Sequence, residues 1–134
     1  MVPANFGPWS KQIITGDEVL NLLYLIDTNK IVTQVDPEIL FPGGVNSESI
    51  SIIPSNQSLY LAGSRGEIIK LPASYFKNYS GDLMIHDGAE RGSINKLLIV
   101  HWDAASSNFV SWRVRCTLSC PEGAAFAPIE LPVN

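Results

Sequence analysis

The chain has 134 residues and a mass of 14.6 kDa, a length that holds one hydrophobic core and leaves too little for a second. Hydrophobic residues make up 46% and charged residues only 16%, well under the ~25% usual for soluble domains, which excludes a disordered charged tail or a charged coiled coil. Nine Lys and Arg against thirteen Asp and Glu give a net charge of −4, the wrong sign for long-range attraction to phosphate backbones, so nucleic acid is not an expected partner.

The amino terminus, MVPANFGPWSKQIITG, carries no basic segment followed by an apolar run and therefore does not read as a signal peptide. With Pro3 and Pro8, residues 1–12 suit an extended N-terminal arm laid across a neighbour. Thr15-Gly16-Asp17-Glu18 then spells a capping box ahead of VLNLLYLI. That pattern allows a short helix at 16–25, but a buried strand is the alternative, because the run is apolar at nearly every position and periodicity does not separate the two.

From there the chain repeats a short, often β-branched apolar run followed by Gly, Pro, Asn, Asp or Ser, the rhythm of an antiparallel sandwich or barrel. Strands are expected at KIVTQV (30–35), SISII (49–53), SLYLA (58–62), EIIKL (67–71) and DLMIH (82–86). Longer ones follow at KLLIVHW (96–102), FVSWRVRCTL (109–118) and AFAPIEL (125–131). SLYLAGSRGEIIKL is the clearest hairpin, its Gly-x-x-Gly connection able to take the positive φ of a tight turn. Nowhere does an apolar stretch approach the ~20 residues that cross a bilayer, and no membrane partner is expected. The reading is an all-β domain over 1–134, an antiparallel sandwich or jelly-roll-like fold, with 127–134 as a second arm.

Groups that carry chemistry do not converge. Cys116 and Cys120 would sit ~13 Å apart along a strand, too far for a disulfide, and lack two further ligands at zinc-finger spacing. His86, Asp87, His101 and Asp103 form the most attractive set for a metal or a proton relay. If DLMIH and KLLIVHW pair as a hairpin, however, His86 lies near the loop and His101 about four residues of rise away, ~13 Å. Ser64 lacks the G-x-S-x-G elbow, and neither PGG nor GSRG has the spacing of a phosphate-binding loop. No catalytic residue, metal or cofactor is assigned, and the chain reads as a non-enzyme.

Two features point to contact surfaces instead. In FVSWRVRCTL, alternation puts Val110, Trp112, Val114, Cys116 and Leu118 on one face, expected to enter the core. Arg113 and Arg115 then stand on the outer face, solvated or paired with acids of a neighbouring strand or subunit. The cluster SYFKNYSGD gathers Tyr75, Phe76 and Tyr79 at a loop or strand edge, where it would dock on a subunit, close one end of the sandwich or stack on a sugar. Trp9 and Trp102 add to the aromatics available for a carbohydrate platform, and the candidate interface comprises Tyr75, Phe76, Tyr79, Arg113, Arg115 and Trp9.

From Gly66 onward the chain resembles small accessory proteins of tailed-bacteriophage virions. The pattern is a strand after a glycine, an L-x-I-x-D-G strand, a strand leaving the loop and a closing G-x-x-F, carried here by Gly66, Leu83, Ile85, Asp87, Gly88, Leu97, Ile99, Gly123 and Phe126. The resemblance implies a capsid cement or decoration protein, or another head or tail component. Such a protein would assemble in the host cytoplasm into the virion as a homo-oligomer, a trimer being one form, on a major capsid or tail protein. A carbohydrate- or receptor-binding β-module is the alternative function.

Overall fold

The computed structural model describes residues 1–36, 40–42, 44–63, 65–88, 96–115 and 121–128. Ten strands are formed by these residues: β1 (Ile13–Asp17), β2 (Leu22–Ile26), β3 (Val32–Val35), β4 (Ser47–Ile52), β5 (Ser58–Gly63), β6 (Ile68–Leu71), β7 (Leu83–Asp87), β8 (Lys96–Asp103), β9 (Asn108–Arg115) and β10 (Pro121–Ala127). They pair antiparallel in three sheets, with strand orders β1-β2-β3, β4-β7-β8-β9 and β10-β5-β6. The fold is the expected all-β antiparallel sandwich.

Its four-stranded sheet is covered on both faces. Leu83, Ile85, Leu98 and Val100 point to one side and pack with Leu23 and Leu25 of the first sheet, with Phe41 and Val45, and with Val2, Phe6 and Trp9. Met84, Leu97 and Ile99 point to the other and meet Leu59 and Leu61 of the third sheet, Phe76 and Phe126. Each such apolar side chain contributes roughly 1.5–3 kcal/mol by leaving water. A strand buried on both faces has no polar side, which is why β7 reads as a nearly continuous apolar run and is buried at all of its positions.

No α-helix forms near residues 16–25. Asp17 does bind backbone amides, but those of Val19 and Leu20, at 3.0 and 2.9 Å, and so closes a turn between β1 and β2 instead of opening a helix. Asn21 completes the reversal at φ 55°, and Leu22–Ile26 continue as the buried-strand alternative. The Gly-x-x-Gly hairpin is formed by β5 and β6 with Gly66 at φ +82°.

The expected N-terminal arm is also replaced by a folded segment. The Val2 amide donates to Gln12 O and the Lys11 amide to Val2 O, closing residues 2–12 into a loop that buries Val2, Phe6 and Trp9. The reason is aromatic packing. Trp9 lies 4.2 Å from Phe109, centroid to centroid, and Phe109 lies 4.9 Å from Trp102. Gly7, at φ +55°, sits so close to the Trp102 indole that a Cβ there would overlap the ring. Of the expected C-terminal arm, Ala127 belongs to β10 and the final residues lie outside the described ones.

Gly7→Ala therefore incurs both a positive-φ penalty and a steric conflict with Trp102. We expect a loss of about 1–3 kcal/mol in urea denaturation with the secondary structure retained. An unchanged midpoint would show that the segment does not pack in this way.

Candidate functional site

The register of the central sheet decides which chemical groups meet. β7 and β8 pair as His86 with Leu97 and Leu83 with Val100, so His86 sits at one end of the hairpin and His101 beyond the other, as their spacing requires. Each member of the His86, Asp87, His101 and Asp103 set finds its own local partner or none. Asp87 Oδ1 accepts the Asn46 amide at 2.9 Å, and the Gly88 amide donates to Asn46 O at 2.8 Å. The Asp-Gly pair thus clamps the start of β4, and Glu48 lies where a Cβ on Gly88 would be. Asp103 accepts from Ser106 Oγ and the Ala105 amide in the β8–β9 turn, and these bonds lower its pKa.

His86 is fully buried, and neither ring nitrogen has a hydrogen-bond partner among the described residues. Its register neighbours are Ser49, whose Oγ is likewise unpartnered among the described residues, and Leu97. Burial pushes the imidazole pKa below its ordinary 6.5, which keeps the ring neutral in the folded protein.

His101 is paired differently. Its Nδ1 lies 2.7 Å from Asp82 Oδ1, a residue that the same register extends to stand opposite it. Asp82 is almost fully buried, while the His101 side chain is 45% exposed. Burial raises the Asp82 pKa, outweighing the hydrogen bond and the charge of His101, which act the other way. With the carboxylate ionised, Nδ1 donates this hydrogen bond, which fixes the orientation of the ring. A cavity of about 100 Å³ adjoins the pair, lined by Asn5, Ser80, Asp82, His101 and Trp102 among others. Sequence spacing alone did not single out this pair, although the hairpin register that separates the two histidines also sets Asp82 across from His101.

The expected contact residues divide between core and surface. Phe76 is buried edge-on against Phe126, 5.4 Å away, and Trp9 is buried against Phe109, so both serve this chain's own core. Tyr75 is 65% exposed, and Tyr79 rests partly buried on Trp112 at 5.6 Å. Arg113 does not stand free on the outer face: it donates to Pro42 O at 2.7 Å, beside Ser111 Oγ, which donates to Leu40 O at 2.6 Å. The side chain of Arg115 lies outside the described ones, as do Ser64, Cys116 and Cys120. The expected burial of Trp112 is corrected too, since Trp112 and Val110 are 39% and 37% exposed whereas Phe109, on the opposite face, packs into the core. Both faces of β9 meet apolar partners, so alternation gives no inside and outside, and at the edge of the sheet the cover over Trp112 ends at Tyr79.

A further surface was not anticipated. Ile13, Ile26 and Val32 lie side by side across the first sheet, as do Thr15, Tyr24 and Gln34 on the same face. Ile13 and Val32 are 50% and 59% exposed, and neighbouring Ile31 is 60% exposed. None of these side chains is ionisable at neutral pH.

Comparison with family models, with characterised proteins and with solved structures gives no match to this chain.

The His86 environment sets a pH dependence. The unfolded chain binds a proton near pH 6.5 and the folded one only at lower pH, so unfolding takes up a proton and stability falls as pH drops below about 6.5. His86→Leu removes this component and an orphaned polar group together. It should flatten the acid limb of the stability curve and leave stability at pH 7 equal to, or about 1 kcal/mol above, that of the natural chain. Parallel pH curves for the two chains would contradict the burial of a neutral imidazole.

Proposed function

We propose that this protein is a non-enzymatic structural module that works by protein–protein contact, assembling with copies of itself. On this reading its setting is the one its resemblance implies, a head or tail component of a phage particle. The observation that carries the proposal is the outer face of the first sheet, where Ile13 and Val32, both exposed, flank the half-buried Ile26 and adjoin Thr15, Tyr24 and Gln34, with Asp17 at the far end of β1 as the ionised side chain that these strands place on this face. Exposed apolar rows of this kind are costly in water and are characteristic of contact surfaces.

A second copy is the occupant that the charge favours. Two chains of net charge −4 repel each other, and contact through the Ile13, Ile26 and Val32 row, at the opposite end of β1 from Asp17, keeps like charges apart. The edge of the sheet supports the same partner. Among the described residues β3, Val-Thr-Gln-Val, is the outermost strand of its sheet and pairs with β2 alone, and none of its four residues is charged or a proline that would block pairing with another strand. The low overall charge content also fits a chain whose surface is partly meant for protein and not for water.

Sedimentation equilibrium over a range of concentrations tests this reading. The natural chain should self-associate, and Ile13→Lys combined with Val32→Lys should weaken association at least about tenfold, a cost of ~1.4 kcal/mol, while leaving the far-ultraviolet spectrum unchanged. A natural chain that stays monomeric at all concentrations, or a double variant that associates equally well, would overturn it.

A further inference from the structure

The rim of the central sheet carries a second, chemically different surface. Trp112 on β9 and His101 on β8 are diagonal neighbours on one face, since His101 pairs with Val110 and Ile99 with Trp112. Their ring centroids are 6.1 Å apart. Tyr79, in the 3₁₀ turn Lys77–Tyr79, also neighbours the indole, at 5.6 Å with its ring inclined by 56°. Neither neighbour stacks flat on Trp112, and the indole remains 39% exposed.

Beside this aromatic surface stands a hydrogen-bonding group of fixed direction. Asp82 holds His101 Nδ1 at 2.7 Å, and Nε2 has no partner among the described residues. The adjoining cavity presents Asn5 and Ser80. At about 100 Å³ it has room for a few hydroxyl groups, since a water occupies ~30 Å³, but not for a whole sugar ring.

We propose that Trp112, Tyr79 and His101, with the cavity at Asn5 and Ser80, form a binding subsite for a neutral pyranose sugar. The C–H face of the pyranose lies on the Trp112 indole, a ring hydroxyl hydrogen-bonds with His101 Nε2, and an exocyclic hydroxyl or hydroxymethyl group enters the cavity. This ligand class follows from the mixture of groups. A purely apolar partner would leave the imidazole Nε2 and the cavity unsatisfied, whereas a polyol offers an apolar face and a hydroxyl edge at right angles to it. An anionic ligand would be opposed by the buried Asp82 carboxylate. In this site Asp82 is a positioning residue, holding Nδ1 and so orienting the imidazole. The subsite lies on the rim of the central sheet and not on the outer face of the first sheet, so it stands or falls separately from self-association.

The test is an NMR titration of the full chain with the methyl glycosides of glucose, galactose, mannose and N-acetylglucosamine, read at the indole N–H signals of its three tryptophans. At least one glycoside should shift the Trp112 signal saturably, with a Kd in the about millimolar range, and leave buried Trp9 unmoved. Trp112→Ala should weaken binding at least about tenfold and His101→Ala several-fold. Trp112→Leu, which keeps apolar cover over Tyr79, should weaken it likewise if the alanine variant does not fold. Asp82→Asn should change the imidazole ¹⁵N shifts that report the tautomer, along with affinity. The proposal is overturned if no glycoside moves Trp112 or if binding survives unchanged in the tryptophan and histidine variants. It is also overturned if Trp112 substitutions alter only the state of association, which would make this rim a protein contact.

Discussion

The structure depends on the double burial of the central sheet. Strand β7 has no exposed position, and Leu97–Val100 of β8 are equally buried, so this sheet folds stably only if a layer covers each face. The chain supplies the two covers from different stretches. The first sheet and the aromatic N-terminal loop provide one, and β5 and β6, which lie between β4 and β7 in sequence, provide the other together with β10. β10 reaches its place by returning to pair with β5, whose residues precede it by about sixty positions, and this long-range pairing closes the second layer. The polar residues of β7 follow from the same constraint: Asp87 is satisfied by an amide of Asn46, while His86 is held neutral.

Double burial also decides where function can reside. The central sheet is spent on packing, while its rim, along β9, and the outer face of the first sheet meet solvent with apolar or aromatic side chains. The two surfaces differ in chemistry. One is a row of aliphatic residues, Ile13, Ile26 and Val32; the other sets an exposed indole beside an imidazole oriented by a buried carboxyl. The two proposals together would join self-association to sugar recognition on one small scaffold.

Much of the fold was legible in the sequence, because short β-branched runs between turn residues have few other uses. The DLMIH–KLLIVHW hairpin and its register followed from apolar pattern and loop position. What misled was local chemistry with two outcomes. Asp17 followed by apolar residues opens helices and closes turns equally well, and the contact between Leu23, Leu25 and the central sheet selected the turn. The faces of β9 were misjudged because alternation tells inside from outside only when one face is wet; here Phe109 found an aromatic cluster and Trp112 the rim. Phe76 and Trp9 looked like surface aromatics because their neighbours in sequence are polar or prolines, yet each fills a gap between layers. The exposed row of the first sheet escaped notice because the residues 13, 26 and 32 meet only through strand register.

Residue-resolved native-state hydrogen exchange tests the double burial directly. The amides of Leu83–His86 and Leu97–Val100 should be the most protected in the molecule and exchange only with global unfolding, while those of β3 and β6, at sheet edges, exchange through smaller openings. Protection in β7 and β8 no greater than at those edges would mean that the central sheet is not sealed by two layers, and the account of both fold and surfaces would fail with it.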